Sequence, residues 1–148
     1  MIERSAARVI VLDENHRTLL LRGGDPARPE AGTWWFTPGG GLEQGESARE
    51  AATRELREET GLIEATLRGP IHHRDTEFDF DGQLFRQSEE YFYVVVPAFA
   101  VSTEEWTELE KRAMLEWRWW PLDDLLRTAE TVYPAELAQL VDGLRNSR

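Results

Sequence analysis

The chain is expected to adopt an α/β fold in which helices cover both faces of a mixed β-sheet. Two observations lead there. Strand-like and helix-like segments follow one another in mixed order, which favours a mixed sheet with helices packed on it. The 148 residues, 41% of them hydrophobic and 30% charged, can bury one sizeable core, which gives a single domain over 1–148.

The elements follow in order. Ala7–Leu12 and Thr18–Leu21 are aliphatic, β-prone runs separated by Asp13–His16, and they read as a hairpin. Residues 23–32 hold glycines, prolines and Asp25 and form a loop. Trp34–Phe36 is a short apolar stretch running into Pro38 and three glycines. A helix is expected over Ala48–Thr60, with Ser47 and Glu50 as a capping box and Gly61 as its left-handed cap. Phe78 to Phe85 alternates around Asp81–Gly82, a hairpin signal. Tyr91–Val96 reads as a central strand and Trp117–Trp120 as another, followed by helices at Asp123–Thr128 and Pro134–Leu144.

Composition narrows the function. The chain has no cysteine, so disulfides, thiolate metal sites and cysteine nucleophiles are excluded. A net charge of -11 argues against binding a nucleic-acid polymer, whose affinity comes from cationic contacts. No apolar run is long enough to span a bilayer, and the first residues lack the order of a signal peptide, so a cytoplasmic protein with no membrane partner is expected. An anionic ligand would need divalent cations to reverse the local field.

The chemistry is concentrated between Gly40 and Leu62. Gly40 is followed after five residues by Glu46, and after seven more by Arg54-Glu55-Leu56-Arg57-Glu58-Glu59-Thr60-Gly61-Leu62. On a helical wheel at about 100° per residue, Ala48, Ala51, Ala52 and Leu56 share the buried arc. Arg49, Glu50, Thr53, Arg57 and Thr60 occupy the solvent arc. Glu55 and Glu59 fall inside the apolar arc, with Glu58 at its edge. Carboxylates at these spacings repel one another, and burying them unpaired is costly. A hard divalent cation, Mg²⁺ or Mn²⁺, relieves both penalties.

This segment resembles the signature box of the Nudix hydrolases, with every fixed position matched. Chance agreement is on the order of 1 in 10⁹ per start point. The resemblance implies a Nudix-type α/β/α sandwich and metal-dependent hydrolysis of a phosphoanhydride in a nucleoside diphosphate linked to another moiety. A nucleoside triphosphate pyrophosphohydrolase is one form of this activity. The alternative is a non-catalytic nucleotide-sensing module on the same fold, although such modules are expected to lose box glutamates.

By the same resemblance, Glu55, Glu58, Glu59 and the Gly40 carbonyl are the metal ligands. Arg54 and Glu46 pair to position the catalytic end of the helix. The general base is Glu58 in the box, or Glu110 or Glu116 on a later loop. Arg22 is a candidate phosphate contact, and Trp34 or Trp35 a candidate base contact. His72, His73 and the acidic series Asp75, Glu77, Asp79 and Asp81 read as structural or surface residues. ADP-ribose-preferring members carry a proline downstream of the box, where this chain has Glu77 and Phe78, so that substrate is disfavoured. The six tryptophans could serve a core or a homodimer interface equally.

Overall fold

The computed structural model describes residues 1–146. In chain order these form β1 (Ile2–Leu12), β2 (Thr18–Gly23), a 3-10 turn (Pro29–Ala31), β3 (Trp34–Phe36), β4 (Gly39–Gly41) and helix α1 (Ala48–Thr60). Then come β5 (Arg68–Phe80), β6 (Gln83–Val95), α2 (Glu108–Ala113), β7 (Met114–Trp120), α3 (Leu122–Arg127), β8 (Val132–Tyr133) and α4 (Leu137–Asn146). The sheet is mixed and runs β5-β6-β1-β2-β3-β8, with β4 also pairing to β1 and β7 to β2.

Strand alternation separates two cores. Val9, Val11, Leu19, Phe92 and Val94 pack under Ala51, Ala52 and Leu56 of α1. Ile10, Leu12, Leu20 and Tyr91 turn to the other face, where Leu125 of α3 and Leu137 and Val141 of α4 cover them. Helices therefore lie on both faces, as expected.

Local signals held. The Ser47 side chain accepts from the Glu50 amide while Glu50 caps back onto Ser47, and Gly61 closes the helix at φ 83°. The β5–β6 turn has positive φ at both Asp81 and Gly82, the geometry that suits a tight hairpin. Non-local pairings differ from expectation. The proposed β1–β2 hairpin meets only at Leu12 and Thr18, whereas β1 runs parallel to β6 along its full length from Ile2 to Leu12. Thr60 is fully buried rather than solvent-facing, since the chain at Ser102 crosses the helix end and its amide donates to the Thr60 carbonyl at 2.9 Å, while the Thr60 hydroxyl is satisfied by the Leu56 carbonyl at 2.6 Å. The glycine run forms a strand and Glu108–Ala113 a helix, neither of which was expected.

The tip of the β5–β6 hairpin is fastened. The Asp81 amide donates to Oδ1 of buried Asp25 at 2.9 Å, and Asp79 lies 3.6 Å from the Arg28 guanidinium. None of the described helices is long and apolar enough to cross a membrane.

Candidate active site

Helix α1 places Glu55 and Glu59 against β4. The Glu55 carboxylate would not fit there if β4 carried side chains, and β4 itself could not lie so close to β1. A Cβ on Gly40 would stand 2.6 Å from Glu55 Cδ, and one on Gly39 would stand 2.2 Å from the Ala7 carbonyl oxygen. With three glycines, the helix carboxylates and the β4 backbone border one cavity of about 570 Å³. The Gly39 amide donates to Glu59 Oε1 at 2.6 Å and fixes that side chain.

The third carboxylate comes from α2. One oxygen each of Glu55, Glu59 and Glu110 lies within 4.8 Å of the others. Glu110 Oε1 accepts from the Thr107 amide in a capping box at 2.9 Å, which holds the side chain in place. Glu59 is 4% exposed. Burial, together with the charge of Glu55, pushes its carboxyl well above the usual range, and burial also raises Glu55. Such a cluster favours added positive charge, supplied by protons or by a hard cation with oxygen ligands. Three carboxylates beside an unobstructed backbone strand fit a divalent ion.

Arg54 braces this end of the helix. It grips Glu46 with both forks, Nε to Oε2 at 2.7 Å and Nη2 to Oε1 at 2.9 Å, and donates to the Gly41 carbonyl at 3.0 Å. It also reaches Glu55 at 2.9 Å and Glu58 at 3.2 Å. The hydrogen bonds from Arg54, foremost, lower the Glu46 carboxyl to about 2, and Arg54 is itself raised.

The other candidates are dispersed. Glu58 is held by Arg54 and stands outside the three-carboxylate group. Glu116 is paired with Arg22 across the β2–β7 ladder, and neither side chain borders the cavity. Trp35 is 3% exposed, packs edge-on to Trp120 and donates to Glu130, so it belongs to the second core and offers no surface to a ligand. Trp34 does border the cavity, as do Phe78 and Phe80.

The cavity floor contains residues that the sequence reading missed. Glu89 of β6 is 3% exposed and accepts on both oxygens. Arg8 Nε lies at 3.2 Å and Gln87 Nε2 at 2.6 Å from Oε2, while Arg74 Nε lies at 3.2 Å and Tyr91 Oη at 3.1 Å from Oε1. Arg8 also donates to the carbonyls of Thr37 and Gly39, tying β6 to the glycine strand. Alternating polar residues in Arg74–Asp75–Thr76 and Gln87–Ser88–Glu89 were the available signal, but alternation alone does not say which face is buried.

Comparison with known proteins agrees with this geometry. The NUDIX domain model matches residues 2–141. The chain belongs to the Nudix hydrolase family. It is similar to the uncharacterized Nudix hydrolase YvcI of Bacillus subtilis, 44% identical over 61 residues, which cover 40% of this chain and 35% of that protein. A putative 8-oxo-dGTP diphosphatase of the same organism is 47% identical over 55 residues, 37% of this chain and 33% of that one. These matches thus span about a third of each curated relative. A NUDIX-family hydrolase from Clostridium perfringens shares the fold across 100% of both chains, with a TM-score of 0.73 and 17% identity.

Proposed function

We propose that this Nudix hydrolase is a divalent-cation-dependent pyrophosphohydrolase of nucleoside triphosphates. The observation that carries the reading is the convergence of Glu55, Glu59 and Glu110 beside the side-chain-free Gly40 strand. The partial similarity to a putative 8-oxo-dGTP diphosphatase supports a triphosphate substrate.

Glu55, Glu59 and the Gly40 carbonyl would hold Mg²⁺ or Mn²⁺, with a Glu110 oxygen within 4.8 Å of both carboxylates. Bound there, such a cation would neutralise charge developing on the diphosphate and acidify water. Arg54, locked on Glu46, keeps Glu55 aimed at the cavity and leaves Glu58 as a supporting charge. Of the three glutamates considered as base, Glu110 is the one bordering the cavity. Its Oε1 is engaged in the helix cap, so Oε2 takes the proton from the attacking water. Trp34 and the hairpin phenylalanines supply flat apolar surface for a base.

A panel of triphosphates, sugar nucleotides and dinucleotides incubated with Mg²⁺ tests this. Release of pyrophosphate from a triphosphate is the expected result. Glu55→Gln and Glu59→Gln should each lower kcat at least 100-fold, in line with loss of an electrostatic contact to the reacting group. Wild-type turnover by either variant would remove the assignment.

A further inference from the structure

Arg4, Arg8 and Arg74 line the cavity of a molecule whose net charge is -11, and their contacts differ. Strand register places Arg4 beside Gln87 and Ala6 beside Glu89, with Arg8 beside Tyr91 and Arg74 on the far side of Glu89. Arg8 is consumed by Glu89 and two backbone carbonyls. Arg74 is paired to Glu89 through Nε alone, with its guanidinium over the Tyr133 ring at 5.5 Å.

Arg4 is likewise held through Nε alone, and it stands against Gly41 of the glycine strand. Its Nε donates to Gln87 Oε1, and Gln87 in turn donates to Glu89. Its guanidinium lies over the Phe85 ring, 5.0 Å from the centroid. Among the described residues, Nη1 and Nη2 of Arg4 have no hydrogen-bond partner. Nη1 would be 3.5 Å from a Cβ on Gly41, so the open fork sits against the box glycines at the edge of the carboxylate site. A fork fixed at Nε and open at both Nη atoms is shaped to take two oxygens of one anion. Arg4 is exposed, so both Nη atoms face solvent and are open to an incoming anion.

We propose that Arg4 is a substrate-binding residue, donating from Nη1 and Nη2 to a phosphate beyond those that a cation held by Glu55 and Glu59 would neutralise. It thereby favours a chain of three phosphates over one of two. This rests on the triphosphate reading above and deepens it. Gln87 and Glu89 act as positioning residues for the fork.

The test measures binding of inorganic tripolyphosphate and pyrophosphate to the intact chain at fixed Mg²⁺, beside kcat and KM for triphosphates of different bases. Arg4→Gln should weaken tripolyphosphate roughly 10- to 100-fold and raise KM similarly, the scale of a lost charge-assisted hydrogen bond. Pyrophosphate should change less than about 3-fold, and Arg4→Lys should restore part of the loss, since it keeps the charge without the fork. Equal weakening of both polyphosphates, no weakening, or a loss that follows base identity would overturn the proposal. The two readings fail separately. A wild-type chain that hydrolyses no triphosphate, yet loses tripolyphosphate binding on Arg4→Gln, removes the catalytic reading and keeps Arg4. Normal turnover with unchanged binding in the variant removes Arg4 alone.

Discussion

Individual side chains here store opposite electrostatic tendencies. His73 sits between two carboxylates, 2.7 Å from Glu90 and 3.1 Å from Asp75, and these hold its pKa above the ordinary 6.5. A raised imidazole stabilises the fold fully below its unfolded value, and that contribution fades as pH climbs through the folded one. Thermal melts should therefore decline on the alkaline side of 6.5, and His73→Gln should flatten that decline; an unaltered slope would assign it to other groups. Glu59 loses stability in the same direction of pH but for the opposite reason, since its charged form is the disfavoured one. Burial raises its carboxyl, so its ionised form costs stability increasingly as pH rises above the ordinary 4.5. Glu59→Gln is thus expected to keep or raise Tm while abolishing turnover. A large fall in Tm would mark Glu59 as a structural residue. The box glutamates were legible because a helical wheel needs only their spacing. Arg8 and Glu89 were not, because a charged residue on an alternating strand reads as solvated until the partner strand is known.

At the level of elements, legibility followed the range of the signal. Helix α1 is written locally: its capping box, alanine stripe and Gly61 all lie within one segment. The parallel pairing of β1 with β6 joins residues some eighty positions apart and leaves no mark on either strand alone. Helix α2 has only six residues and none is buried, so it lacks apolar periodicity, although Thr107 and Glu110 do form a capping box. The end of α1 is where a small change should tell. A Cβ on Gly61 would face a left-handed backbone and lie 2.7 Å from Ser102 Cβ. Gly61→Ala should cost about 1–3 kcal/mol in urea unfolding, with the slope m unchanged. A cost near zero would show that the cap is dispensable.

Across the whole molecule, a net charge of -11 coexists with a cavity lined by Arg4, Arg8 and Arg74 as well as by Glu55, Glu59, Glu89 and Glu110. The tryptophans are mostly spoken for. Trp35 and Trp120 pack together, while Trp106 and Trp119 donate to the backbone carbonyls of Glu59 and Phe99. Binding of a divalent ion to the folded state alone must raise stability, by about 2.7 kcal/mol when the ion is at 100 times its Kd. Mg²⁺ or Mn²⁺ should accordingly raise Tm, chelator should reverse the rise, and Glu55→Gln should blunt it. A melt indifferent to these ions would argue against the carboxylate site.

The fastening of the hairpin tip to Asp25 has an experimental use. Amides in two-residue turns ordinarily swap their hydrogen for deuterium quickly, because solvent reaches them. That of Asp81 is capped by a carboxylate out of contact with water, so it should swap only when the arm swings off the β2–β3 loop. One backbone position would then serve as a clock for how often the mouth of the cavity opens, with and without nucleotide.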